Sequence, residues 1–341
     1  MKVCIHCFSD LELRQFIVSN SVEKGKCDYC IDDVNSELLE IEELLDFFDE
    51  FIEIFKEDSY GMPLVELIQK DWNLFAEKPE SHDVLSNILF TLHSSITNSQ
   101  VTVGYNEEIT ECTSYWETLK ESIKWKRRFL IAVDRLEELG WHRFLNQEVI
   151  LPKSDSLYRA RLHYKGDQEK FACKDMGYPD ISKVGGGRAN PPGIPYLYLS
   201  KSIETTLYEI RASFLDEVSV GTYKIKGDAI IKLVDFTTLA SAFRNIDQIM
   251  EYTKGMLLKK FISADLSKPM RRYDSELEYI PTQFICEFIR YITDVDGILF
   301  NSSLHTGGKN IVLFEQAKVE CTSVAMHRVT NVEIEAQKIG V

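Results

Sequence analysis

Apolar residues recur at helical spacing in the first part of the chain and gather into short runs in the second. Leu38, Leu39, Ile41, Leu44, Leu45, Phe48, Phe51, Ile52 and Phe55 outline an acidic amphipathic helix. After a turn at Ser59-Tyr60-Gly61, the same spacing predicts helices over Met62–Phe75, Ser81–Ser95 and Thr113–Leu139, the last ended by Gly140. Residues 36–148 therefore read as an all-helical domain. The pattern changes near Val149. Past the turn residues Pro152–Ser156, strand-like runs cover Leu157–His163, Pro195–Leu199, Ser219–Ile225, Ala229–Val234, Gly297–Asn301 and Ile311–Glu315. Helical spacing returns at Ile203–Phe214, Ile246–Ile262 and Pro281–Tyr291. Mixed strands and helices predict a mixed α/β domain over 149–341, and a multidomain α+β chain as a whole.

Residues 185–211 carry the densest polar chemistry. A glycine run delivers Arg188 to a turn that Asn190, Pro191, Pro192 and Gly193 keep from being helical. The strand that follows carries Tyr196 and Tyr198. Ser202 then fits the N-cap of a helix holding Glu209 and Arg211. Arginine, tyrosines and a glutamate on one loop–strand–helix unit suit a phosphorylated, ring-bearing ligand.

Composition narrows the field. Apolar content of 44% supports real cores, and a net charge of −15 disfavours nucleic acid, whose phosphates would be repelled. No run of about 18 apolar residues suggests a membrane span, and MKVCIHCFSD lacks a signal-peptide core, so a cytoplasmic protein is expected. Four of the eight cysteines form the pairs Cys4-x2-Cys7 and Cys27-x2-Cys30. Each pair is a tight turn that aims two thiolates at one ion, so residues 1–35 are expected to form a structural, closed zinc module. His6 is expected to be exposed. Cys112, Cys173, Cys286 and Cys321 are scattered as reduced thiols usually are.

Three pieces of the second half belong together: Tyr158-Arg159-Ala160-Arg161, the stretch GRANPPGIPYLY with Glu209 eleven residues after Tyr198, and GILFNSS followed by GGKN and LF. With Tyr279-Ile280-Pro281-Thr282-Gln283, they resemble the RES domain, in that family's order and over nearly all of 150–320. The first 145 residues resemble the zinc-pair and helical extension of one branch, described as a HEPN/RES N-terminal region. Ala189, where an aromatic is common, and Asn301, where proline is common, depart from the family pattern.

The resemblance implies a fold similar to ADP-ribosyltransferase toxins and an activity that consumes NAD+. Some members transfer ADP-ribose to a protein, and others release nicotinamide with phosphate or water. It implies that Glu209 stabilises the cation developing on the ribose, and that Arg159 and Arg188 hold the pyrophosphate. Tyr198 would pack on the nicotinamide or ribose, and Ser302 would hydrogen-bond the ribose or amide. Tyr158, Arg161 and Ser303 are further candidate contacts to NAD+. Ser302 and Ser303 both fit the family serine, and Ser302 is preferred. Expected partners are an antitoxin or regulatory protein in a toxin–antitoxin or phage-defence setting, and a second copy of the chain.

Two other readings compete. Arg135-x6-His142 has the spacing of a HEPN-type ribonuclease pair, but Gly140 interrupts the helix and the charge of −15 opposes an RNA substrate. The zinc module and helices also suit a binding platform, a role compatible with NAD+ cleavage.

Overall fold

The computed structural model describes the chain except for residues 32–33, 77–80, 145–147, 166–168, 239–240, 242, 244–247, 272–275, 334–335, 337 and 339–341. The fold divides into two units, Met1–Glu117 with Leu239–Leu258, and Thr118–Thr238 with Lys259–Val341.

The first unit opens with strand β1 (Lys2–Cys4), helix α1 (Leu11–Asn20) and strands β2 (Glu23–Gly25) and β3 (Ser36–Glu40). Asp10 caps α1 by accepting from the Leu13 amide at 3.1 Å. The three strands form a sheet in the order β1-β3-β2, with Leu38 opposite Cys4. Helix α2 (Leu45–Glu53) and strand β4 (Phe55–Pro63) follow, then helices α3 (Leu64–Trp72) and α4 (Ser81–Thr91) and strand β5 (Thr102–Tyr105). The expected all-helical domain over 36–148 is thus corrected: β3, β4 and β5 lie within it. Leu38 and Leu39, read as the start of a helix, are strand residues, because pairing with β1 satisfies their backbone and buries both side chains. The apolar stripe of α2 survives, burying Phe48, Phe51 and Ile52.

Helix α5 (Glu107–Trp125) ends well short of the expected Leu139, and α6 (Val133–Glu138) and α7 (Trp141–Phe144) are separate. Gly140, at φ +75, makes the break between them.

The second unit is built on an eight-stranded mixed sheet in the order β13-β9-β7-β8-β12-β11-β10-β6. Its strands are β6 (Glu148–Ile150), β7 (Leu157–Leu162), β8 (Leu197–Ser200), β9 (Glu217–Ile225), β10 (Lys232–Asp235), β11 (Gly297–Asn301), β12 (Lys309–Leu313) and β13 (Val319–Arg328). The β10–β11 pair is parallel and the other pairs are antiparallel. Helices α8 (Ile203–Glu209), α9 (Ile249–Leu266) and α10 (Ile280–Ile292) complete the chain. Strand β13 escaped the pattern reading because a bulge between Cys321 and Ser323 breaks its alternation.

The two faces of the sheet carry separate apolar clusters. Leu157, Leu197, Leu199, Ile311 and Leu313 pack on one, while Ala160, Val218 and Val220 meet Ile203, Leu207 and Ile210 around α8 on the other. Gly297 fits at the start of β11 because a Cβ there would lie 1.9 Å from the Val312 carbonyl oxygen. Strand β8 pairs with β12 along its whole length but meets β7 only where Tyr158 faces Ser200. That splayed junction makes room for a cavity within the second unit.

Candidate active site and metal centre

The cavity has a volume of about 380 Å³, within the range of small-molecule sites. Arg159, Arg188, Tyr198, Glu209, Arg211 and Ser303 line it, with Tyr279 and Asn310.

Glu209 sits in the last turn of α8, whose N-terminus Ser202 caps as predicted, accepting from the Thr205 amide at 3.1 Å. The Glu209 carboxylate accepts two short hydrogen bonds, from Ser302 Oγ and from Asn310 Nδ2, each at 2.6 Å. Both fall on Oε1, so Oε2 has no hydrogen-bond partner among the described residues. Asn310 is itself fixed, because Ser200 Oγ donates to its Oδ1 at 2.8 Å. The Ser302 hydroxyl also accepts from the amides of Leu304 and His305 at 3.2 and 3.0 Å. With one donor and two acceptor sites all engaged, the Ser302 hydroxyl holds the Glu209 carboxylate. Its neighbour Ser303 lines the cavity.

Arg188 is anchored from several directions. Its guanidinium donates to the carbonyls of Asp265 and Lys268 at 3.2 and 2.8 Å and to Ser303 Oγ at 3.4 Å, and it lies 5.5 Å from the centre of the Tyr279 ring. Burial lowers its pKa from the ordinary value, with Tyr279, Glu209 and Tyr198 opposing, and an arginine so shifted remains cationic.

Tyr198 shapes the loop that presents Arg188. Its hydroxyl donates to Asn190 Oδ1 at 2.7 Å and accepts from the Ala189 amide at 3.0 Å. Gly187 permits this approach, because a Cβ there would stand 2.6 Å from the same hydroxyl. The phenol is therefore engaged by the loop, and Tyr198 lines the cavity. Burial pushes its pKa well above the usual tyrosine value.

Arg159 rises from the Leu157 face of β7, and its guanidinium donates to the Tyr198 carbonyl at 3.0 Å across the splayed junction. Burial and then the neighbouring Arg161 bring its pKa down to about 10. Its Nε is buried without a partner, as is that of Arg161. Arg161 and Tyr158 are not brought into this cavity. Arg161 donates to the Gly177 carbonyl at 2.6 Å, and Tyr158 packs with the apolar side chains around α8.

Arg211, Asn310 and Tyr279 are cavity residues that the sequence reading did not assign to the site. Arg211 adopts φ +53, just past the end of α8, and donates to the Met270 carbonyl at 2.5 Å. All three lay inside quoted motifs, but spacing alone does not say which side chains converge.

In the first unit, Cys4, Cys7, Cys27 and Cys30 are buried, and their Sγ atoms lie within 4.8 Å of one another. The close approaches are 3.5 Å for Cys7–Cys27, 3.7 Å for Cys4–Cys30 and 3.8 Å for Cys7–Cys30. These are far longer than a disulfide bond of about 2.05 Å. They approach the edge of about 3.8 Å that metal–sulfur bonds of about 2.3 Å give a tetrahedron. Backbone amides of His6 and Tyr29 point at Cys4 and Cys27 Sγ, at 3.4 and 3.5 Å. The cluster could hold a metal ion, and His6 is exposed beside it. The ribonuclease-type pair gains no support: Arg135 is engaged by Glu138 at 2.9 Å, and the left-handed Gly140 lies between it and His142.

Among the described residues, no helix is long and apolar enough to cross a membrane. Comparison with known families gives a match to the RES domain model over residues 156–334. No curated protein and no solved structure gives a significant match.

Proposed function

The chain belongs to the RES domain family, and from that premise we propose that the cavity binds NAD+ and cleaves its nicotinamide–ribose bond. The observation that carries this reading is a carboxylate, Glu209, fixed through one oxygen by Ser302 and Asn310 in a cavity that also presents Arg159, Arg188 and Arg211. Breaking the C1′–N bond sends its electron pair to the pyridine nitrogen, which leaves as neutral nicotinamide. The ribose carbon develops positive charge. Glu209 Oε2 stabilises that charge electrostatically and orients the incoming oxygen nucleophile. Water or phosphate then forms the new C1′–O bond and loses its proton, to Glu209 or to solvent. The arginines supply charge-assisted hydrogen bonds for a pyrophosphate. The reaction is that of an NAD+ glycohydrolase or phosphorylase, on a fold of the ADP-ribosyltransferase kind, and it suits a toxin-like effector restrained by an antitoxin or regulatory protein. The cysteine cluster is read as a zinc site of structural type, because four thiolates leave no open position.

The test is to incubate the full chain with NAD+, with and without phosphate, and to follow nicotinamide release and the ribose product. Wild type is expected to release nicotinamide, and Glu209→Gln to lose about 10²-fold or more of the rate. Label from NAD+ appearing on protein would instead identify an ADP-ribosyltransferase. Intact NAD+ under all conditions would overturn the reading.

A further inference from the structure

An unassigned surface lies at the end of α5, away from the cavity residues in sequence. Trp125, Phe129 and Leu130 are 62%, 92% and 79% exposed, and Lys126, Arg127 and Arg128 between them are exposed as well. Earlier on the same helix, Lys120 and Lys124 are paired with Asp265 and Glu278, each at 2.9 Å. Lys126, Arg127 and Arg128 have no side-chain partner among the described residues. These three adjacent, exposed cations stand out against the net charge of −15. Three large exposed apolar side chains flank them in the chain and mark an interaction surface, because exposing them to water is unfavourable.

We propose that residues 125–130 dock a short acidic peptide segment of a partner protein, one that alternates carboxylates with large apolar side chains. The cations would pair with its carboxylates, and Trp125, Phe129 and Leu130 would bury its apolar groups. Charge range selects a short segment over a polyanion. Screening limits an exposed charge to about 8 Å at physiological ionic strength, so a short peptide on this patch feels mainly the three cations. A nucleic acid or an anionic membrane extends much further, and would meet the acidic remainder of the molecule. Glu121 and Asp134, exposed before and after the patch in the chain, limit the run of positive charge.

The experiment measures fluorescence anisotropy of a dye-labelled peptide of alternating glutamate and leucine, added to the full chain. Parallel arms use the peptide with lysine in place of glutamate, a single-stranded RNA oligonucleotide, and vesicles of phosphatidylcholine and phosphatidylserine in equal parts. The glutamate peptide is expected to bind, more weakly as salt rises, and the other three arms are expected not to bind. The triple variant Lys126→Glu, Arg127→Glu, Arg128→Glu and the double variant Trp125→Ala, Phe129→Ala are each expected to weaken binding at least about tenfold, with unchanged circular dichroism. Neither variant touches the cavity, so nicotinamide release should be unaffected. No binding of the glutamate peptide, equal binding by both variants, or preferential binding of RNA or vesicles would overturn the proposal.

Discussion

Glu209 illustrates how much of a candidate catalytic residue is made by its neighbours. Alone it is one acidic side chain at the end of a seven-residue helix. The relay Ser200–Asn310–Glu209, closed from the other side by Ser302, converts it into a carboxylate with one oxygen held and the other presented. Asn310→Leu removes one of the two holding bonds and strands the Ser200 hydroxyl. It is expected to lower kcat for nicotinamide release by about 10²-fold with little change in KM, because misplacing a catalytic group acts on the chemical step. Steady-state kinetics would check this, and a change confined to KM would contradict it. Glu209 and Ser302 were legible from the sequence as members of one constellation. That Ser302 supports the carboxylate was not, because only the folded loop shows its hydroxyl saturated.

At the scale of elements, the site depends on where strands are forced together or apart. Gly297 lets β11 approach β12, and Gly297→Val is expected to destabilise the second unit by about 1–3 kcal/mol or more, measured by chemical denaturation. Asp235, at the end of β10, contributes a pH dependence. Burial raises its pKa, but hydrogen bonds from the Thr238 hydroxyl and from the Thr237 amide and hydroxyl outweigh burial, and the net shift is downward. With the folded value below the unfolded value of about 3.9, its stabilisation is present above that pH and is lost as pH falls through the folded value. The stability gap between wild type and Asp235→Asn should therefore be constant from neutral pH to about 5 and shrink below about 4. Thermal unfolding across that range would check it, and a gap that widens in acid would contradict the assignment. Most strands of the eight-stranded sheet were visible as apolar runs, whereas β13 was hidden by its bulge; in the three-stranded sheet, β3 was hidden by an apolar spacing that also suits a helix.

At the scale of the whole molecule, the cavity residues all belong to the second unit and the cysteine cluster to the first. Stripping metal with a thiol-competing chelator, or replacing Cys7 with serine, is expected to lower the thermal stability of the first unit, because metal binding at such a site is coupled to folding. Metal analysis together with calorimetry would check it, and a full chain that purifies folded without bound metal would contradict it. The sequence by itself determined the chemistry available: two paired cysteine turns, an arginine- and glutamate-bearing constellation, and the apolar runs of most strands of the large sheet. These are local properties, set by residue type and spacing over a few turns. Only the tertiary structure decided that β7 and β8 part to open a cavity, that Arg161 and Tyr158 stay out of it, and that Asn310 and Arg211 enter. Those outcomes depend on contacts between residues far apart in the chain, where strand pairing and burial outweigh local propensity.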